Sequence, residues 1–211
     1  MYKKSLRGRL VRVLAVVLIA GAVAALILYR ARVRRFLLYL DARVSQEAAA
    51  QTGTLPMLND PRIVISKAER RLYLCDGELI ARTYPVGLGF SPTGHKTREG
   101  DGRTPEGKYY ICTKNPESRF HRSLGISYPN GDDAARALEA GRISEEEHES
   151  IAAAIKADAA PPWDTPLGGE ICLHGHGASR DWTAGCIALD DAAIEEVYRL
   201  APIGTPVEIM P

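Results

Sequence analysis

Between Arg62 and Val86 short apolar runs alternate with polar breaks: Ile63-Val64-Ile65, then Leu72-Tyr73-Leu74, then Leu79 to Val86. Short runs rich in branched and aromatic residues predict strands at Arg62–Lys67, Arg71–Cys75 and Leu79–Val86. Asp76-Gly77 predicts a tight hairpin between the last two. Lys108–Thr113 and Gly204–Ile209 read as further strands. Successive strands joined by tight turns predict an antiparallel, mostly β core within a β-rich α+β domain. Helical spacing appears in three places. Asp132–Gly141 and Ser144–Lys156 predict a helical pair, with Ile151 and Ile155 on the buried stripe and Ser144-Glu145-Glu146-Glu147 as a capping box. Plain packing is the favoured role for this pair and a lid over a cleft the alternative. A last helix starts at Asp190 or Asp191 and turns Ile194, Val197 and Tyr198 inward.

The N-terminal pattern is different. Val13–Tyr29 is seventeen residues without a charge, flanked by Lys3, Lys4, Arg7, Arg9 and Arg12 before and Arg30, Arg32, Arg34 and Arg35 after. The run is apolar on every side, so the alternative of a buried helix in a soluble domain is disfavoured. It reaches the short end of the roughly 17–25 residues that cross a bilayer. Leu26-Ile27-Leu28 continues it beyond the small residues Ala20-Gly21-Ala22, which favours an uncleaved anchor over a signal peptide. Basic residues on both flanks leave the orientation open. The expected organisation is a basic tail (1–12), a transmembrane helix (13–29), a juxtamembrane basic segment and linker (30–61), and a folded domain (62–211).

Charge sharpens that division. Residues 1–43 carry ten Lys/Arg and one Asp, whereas the rest carry seventeen Lys/Arg against twenty-five Asp/Glu. The acidic balance beyond residue 62, with no basic aromatic stripe, argues against a nucleic-acid partner. The chain shows neither internal repeats nor a glycine-rich phosphate cradle.

Candidate chemistry concentrates in Gly168–Leu189. Ile171 and Leu173 frame a short strand that delivers His174; a glycine-broken loop follows; Gly185-Cys186 opens a second apolar run. Two strands joined by that loop bring an imidazole and a thiol, twelve residues apart, to one end of a sheet. A thiol becomes a good nucleophile when a base takes its proton, and histidine is the usual base. Gly185 allows a tight turn with backbone N–H groups facing an oxyanion. His176, Ser179, Arg180 and Thr183 are candidate substrate contacts in the same loop, and Trp182 its anchor. A competing reading takes Cys172, His174, His176 and Cys186 as zinc ligands. A third takes the domain as a non-catalytic binding module. Of the remaining thiols, Cys75 and Cys112 either pair or stay free.

These residues resemble the L,D-transpeptidase (YkuD-type) family, whose pattern is His-Gly, a spacer, then Ser/Thr-His-Gly-Cys. His174-Gly175 match the first part, and Thr183, Gly185 and Cys186 the second; Ala184 stands where the family has its second histidine. Gly100-Asp101-Gly102-Arg103-Thr104-Pro105-Glu106-Gly107, preceded by Lys96, is similar to a second family block, Gly-Asp-x-x-Thr-Pro-x-Gly. Its favoured role is a rigid buttress. Ser123-Leu124-Gly125-Ile126-Ser127-Tyr128-Pro129-Asn130 resembles a block of the YafK-like branch, which includes hydrolases. There Tyr128 and Asn130 are candidates to line a peptide groove, and Arg119 or Arg122 to meet a carboxylate. The resemblance implies a YkuD-like β-sandwich or barrel, no cofactor and no metal. It also implies acyl transfer from peptidoglycan stem peptides at the L-centre of the diamino acid, sensitivity to carbapenems and an extracytoplasmic catalytic domain on the inner membrane. Cross-linking, hydrolysis of the same linkage and action on a lipoprotein partner stay open.

Overall fold

The computed structural model describes residues 56–211. The expected tail (1–12), transmembrane helix (13–29) and juxtamembrane segment up to residue 55 lie outside the described residues. Among the described residues no helix is long and apolar enough to cross a membrane.

The chain runs through β1 (Pro61–Ser66), β2 (Arg71–Asp76), β3 (Leu79–Pro85), β4 (Gly107–Ser118) and β5 (His121–Ile126). Helices α1 (Gly131–Glu139) and α2 (Glu145–Lys156) follow, then β6 (Cys172–His174), β7 (Ile187–Ala188), α3 (Asp191–Leu200) and β8 (Pro206–Met210). The expected strands and helices are all present, within a few residues at each end except in β4. All strands join one sheet in the order β3-β2-β1-β8-β4-β5-β6-β7. The expectation of an antiparallel core needs correcting, because β1 pairs parallel with β8 and β6 parallel with β7. The long connection through α3 carries the chain from β7 across to β8, beside β1, where it lands in parallel register.

The sheet curls until its ends meet. Just past β3, Gly87 exchanges backbone hydrogen bonds with Ala188 of β7 (2.9 and 2.8 Å), and Phe90 N–H donates to the Thr183 carbonyl at 2.9 Å. A Cβ on Gly87 would lie 2.3 Å from the Arg180 carbonyl oxygen, so only glycine permits this closure. The outcome is a curled half-barrel, in which an isolated bridge from Gly87, just past β3, meets β7. Alternate residues fill the interior: Ile63 and Ile65, Leu72 and Leu74, Leu124 and Ile126, Leu173 and Ile187, with Ile194 and Val197 of α3 against them. Burying each such side chain contributes about 1.5–3 kcal/mol relative to exposure.

Helices α1 and α2 keep a smaller core of their own from Ala134, Ala137, Ile143, Ile151 and Leu167. Ser144 caps α2 in a two-way box with Glu147, and Asn130 caps α1 in the same way with Asp133. Asn130 therefore serves the helix, its Nδ2 donating to the Lys108 carbonyl, and the groove-lining expectation for it is corrected. Tyr128 is corrected likewise. Its side chain is fully buried against Tyr109, and its hydroxyl donates to the Leu167 carbonyl at 3.3 Å, leaving nothing to offer a ligand.

Candidate active site

His174 ends β6 between two neighbours, opposite Ser123 of β5 and Ala188 of β7. Side chains two apart on a strand share a face, so Cys172 and His174 look the same way. Parallel register carries Cys186, just before β7, to the same place. All three line a cleft of about 850 Å3 walled also by Lys96, Glu99, Arg119, Phe120, Trp163 and Glu170. No residue of α1 or α2 lines that cleft, which agrees with packing rather than a lid as their role.

The imidazole is held on several sides. Its Nδ1 lies 2.8 Å from the Gly175 carbonyl oxygen. A carbonyl only accepts, so Nδ1 carries the proton and the Nε2 lone pair of the neutral ring is left to act as base. The ring stacks on Phe120 (centroids 4.6 Å apart, 26° between planes), and Trp182 meets it edge-on at 5.5 Å. Such aromatic pairs contribute about 0.5–1.5 kcal/mol each beyond burial. Trp182 is itself fixed by its Nε1–H donating to the Gly177 carbonyl at 3.1 Å, the expected anchor.

The Cys186 thiol is held well below the ordinary thiol range. The Cys172 thiol donating to it is the largest cause; burial opposes; the His174 imidazole and the Cys172 N–H add to the lowering. That N–H lies 3.4 Å from Cys186 Sγ. Cys172 moves the opposite way, pushed up first by its hydrogen bond to Cys186 and then by burial. Between two adjacent half-buried thiols only one readily ionises, and the one beside an imidazole and a backbone donor is Cys186.

The turn before Cys186 is built by Thr183 and Gly185. Thr183 is buried; its hydroxyl donates to the Cys186 carbonyl at 2.7 Å and accepts from the Gly185 N–H at 3.1 Å. Thr183 is thus a clamp on the Cys186 backbone and not a cleft residue, and the Gly185 N–H is engaged inside the turn. The expectation of Gly185 as an oxyanion donor is corrected on that ground. What requires glycine is φ of +143° and contact with the second motif block, since a Cβ would lie 2.7 Å from the Arg103 carbonyl oxygen. The buttress reading of Gly100–Gly107 rests on this contact.

The loop residues fall outside the cleft. Ser179 and Arg180 are exposed and away from its lining. His176, at φ +77°, sets its ring edge-on to Phe120 at 5.6 Å and does not line the cleft. Its backbone N–H donates to Asp191, and Ala178 N–H to Asp190, so Asp190, at the N-cap position of α3 but without a side-chain cap bond, ties down the loop together with Asp191. Arg122 is paired with Glu195 at 2.7 Å, whereas Arg119 lines the cleft with its guanidinium 4.7 Å from the Phe120 ring. Sequence reasoning missed Phe120, Trp163 and Glu170 as cleft walls, and Cys172 as the neighbour of Cys186. Only Cys172 carried a signal, its place two before His174 on one strand. All four cysteines are free thiols, and the Cys75–Cys112 pairing is not made. Among the described residues no three His, Cys, Asp or Glu side chains are arranged to hold a metal ion.

Comparison with known proteins adds independent findings. Solved structures with a similar chain path include an L,D-transpeptidase from Xylanimonas cellulosilytica, at 15% identity and TM-score 0.43 over 78% of this chain and 68% of that one. Bdellovibrio bacteriovorus Bd1075 matches at 21% identity and TM-score 0.47, covering 72% of this chain and 48% of that one. The helical cell shape determining protein Pgp2 of Campylobacter jejuni matches at 22% and 0.48, covering 74% and 50%. This chain thus spans about half the length of the last two. No curated protein matches the chain. The profile of the L,D-transpeptidase catalytic domain, YkuD, matches residues 60–209, nearly the whole described domain and the bulk of the chain, so this protein belongs to that family.

Proposed function

We propose that this protein is a cysteine-dependent peptidoglycan L,D-transpeptidase. The observation that carries the reading is the shared cleft face of Cys186 and His174, with the imidazole tautomer fixed by the Gly175 carbonyl and the thiol depressed toward its anion. Family membership supports the substrate class, stem peptides of the cell wall.

In this reading His174 Nε2 takes the Cys186 proton and the thiolate attacks the carbonyl at the L-centre of the diamino acid. The Cys186 N–H, next to the engaged Gly185, faces the oxyanion. The leaving amine departs with the proton from His174, and an acceptor amine then resolves the acyl-enzyme. Arg119 offers a guanidinium to a substrate carboxylate at the cleft mouth. The segment 13–29 anchors the chain in the inner membrane, with the catalytic domain outside the cytoplasm.

The test is incubation with purified muropeptides, with and without an acceptor amine, followed by mass analysis. New cross-links in the acceptor sample are expected; shortened stems alone would replace transfer by hydrolysis of the same linkage. Cys186→Ala and His174→Ala are each expected to abolish product while the domain stays folded. A carbapenem is expected to leave a covalent adduct on Cys186, and no adduct would favour a binding module.

A further inference from the structure

Acyl transfer needs one thiol, yet the cleft holds two. β6 and β7 run parallel with Leu173 opposite Ile187 and His174 opposite Ala188. One step back along both strands sets Cys172 opposite Cys186. Adjacent strands lie about 4.8 Å apart, inside the roughly 4.4–6.8 Å between Cα atoms that a disulfide spans. The side chains point into one volume: Cys172 N–H reaches Cys186 Sγ at 3.4 Å, and both sulfurs lie 3.4 Å from the Glu170 carbonyl oxygen. Both line the open cleft, so a small solute that reaches one reaches the other.

The other two cysteines are placed differently. Cys75 is buried in β2. Cys112 belongs to β4, and β5 separates it from Cys172, with Gly125 of β5 paired to Cys172 on one side and taking the Cys112 thiol on the other. Two strand spacings, about 9.6 Å, are too far for a disulfide without backbone movement. Cys172 therefore has one thiol partner within bonding reach, and that partner is the nucleophile.

We propose that Cys172 is the resolving thiol for Cys186, so that an oxidant of the peroxide class converts the active site reversibly into a Cys172–Cys186 disulfide. The Cys186 thiolate attacks one peroxide oxygen; the O–O bond breaks, hydroxide leaves, and the sulfur, oxidised by two electrons, becomes a sulfenic acid. Cys172 sulfur then attacks the sulfenic sulfur; the S–O bond breaks, and the thiol proton leaves with hydroxide as water. A dithiol reductant returns both thiols. The disulfide masks the nucleophile and stops oxidation short of the sulfinic acid, from which there is no simple return. The step suits a domain working outside the cytoplasm, where thiols meet oxidants, and it rests on the reading of Cys186 as the reactive thiolate.

The test uses the full chain, treated with near-stoichiometric hydrogen peroxide, blocked with an alkylating agent and digested with trypsin. Cleavage after Arg180 separates the two cysteines, so a disulfide joins two peptides that otherwise run apart. Expected is the Cys172–Cys186 cross-linked pair, with carbapenem labelling of Cys186 lost on oxidation and regained in full after dithiothreitol. In Cys172→Ser, peroxide is expected to carry Cys186 to sulfinic acid, and dithiothreitol to restore none of that fraction. Absence of the cross-link in the wild type overturns the proposal, as does equal recovery in the variant. Should the variant fail to fold, the wild-type peptide map decides alone. Failure of the catalytic reading is separate: reduced wild type would then take no carbapenem, whatever the map shows.

Discussion

Two glycine-rich loops approach Cys186, Gly87–Gly107 from one side and Gly175–Ala184 from the other, and they are organised in opposite ways. The first turns its charges inward. Lys67 reaches in from the end of β1 to bond the carbonyls of Gly94 and Thr104 and the carboxylate of Glu106 (2.6, 3.0 and 2.7 Å); Lys96, equally buried, bonds Asp101 and the Arg98 carbonyl. The Asp101 carboxylate also accepts the N–H groups of Thr97 and Arg103. The second loop is held by its backbone, through Asp190, Asp191 and the Arg70–Asp181 pair at 2.8 Å, and presents His176, Ser179 and Arg180 to solvent. A loop distant in sequence from Cys186 thus forms the wall of its site, while the loop between His174 and Cys186 mostly points elsewhere.

The hardest test of that contrast is Gly185→Ala. The new methyl would press on the Arg103 carbonyl in a backbone conformation that L-residues avoid. A misplacement near 1 Å at a reacting group costs on the order of a hundredfold in rate, and strain of this kind about 1–3 kcal/mol. Carbapenem acylation is expected to slow by about that factor, with a lowered Tm. A variant acylated at the wild-type rate would mean that the first loop does not set the position of the nucleophile.

Next in size is Lys67→Met. Removing the ammonium leaves Glu106 unpaired and two carbonyls without their donor; breaking a buried pair costs about 3–5 kcal/mol, and Glu106 is partly exposed, which points to the lower figure. Denaturant unfolding is expected to show that loss. The paired change in the second loop, Asp181→Asn, is expected to cost less because the Arg70 side chain is partly open to solvent.

How far these placements are legible in the sequence depends on the range of the interaction. Alternation at Ile63/Ile65 and Leu72/Leu74, and the Ser144–Glu147 box, are local, and the structure keeps them. Strand β4 runs on to Ser118, well beyond the expected end at Thr113. Asn115-Pro116-Glu117 sits at the exposed end of the strand, where a shift in register tolerates proline. The parallel pairs and the Gly87–Ala188 closure join distant residues and leave no local trace. At the site, Cys186 and His174 stand out because spacing and chemistry agree. Tyr128 misleads because an aromatic in a motif reads alike whether it packs or binds, and only its burial decides.

Acid offers a milder probe of the same two loops. Burial alone would raise the Asp101 pKa; the N–H groups of Thr97 and Arg103 and the Lys96 ammonium outweigh it and hold the carboxyl below its ordinary value. With the folded pKa depressed, the carboxylate's contribution is fully present above the unfolded value of about 3.9 and is lost as pH falls through the lower folded one. Protection of the Thr97 and Arg103 amides from hydrogen exchange is expected to fall through that window, while that of Gly177, whose N–H bonds the Leu189 carbonyl, is expected to hold. Asp101→Asn is expected to flatten the dependence. Exchange that rises equally in both loops would remove the distinction drawn from buried charge.

The smallest effects are expected where the second loop faces solvent. Arg180 and Ser179 sit between His174 and Cys186 in sequence, and by proximity alone they should matter more than Arg119, which lies on the far side of β5 in the chain. The structure reverses that order: Arg119 lines the cleft against Phe120, and Arg180 and Ser179 do not. Arg119→Ala removes a guanidinium from the cleft mouth and is expected to raise KM several-fold with little change in kcat, as loss of a partly exposed charge-assisted bond should. Ser179→Ala and Arg180→Ala are expected to shift kcat/KM by less than about twofold, the size usual for surface changes away from any named interaction. The contribution of Arg180 that matters is its carbonyl, packed where Gly87 has no side chain, and that carbonyl is present whatever side chain stands at 180. If Arg180→Ala instead raised KM as far as Arg119→Ala, the loop would have to fold over bound substrate, and the division between a wall loop and an outward loop would hold only for the empty enzyme.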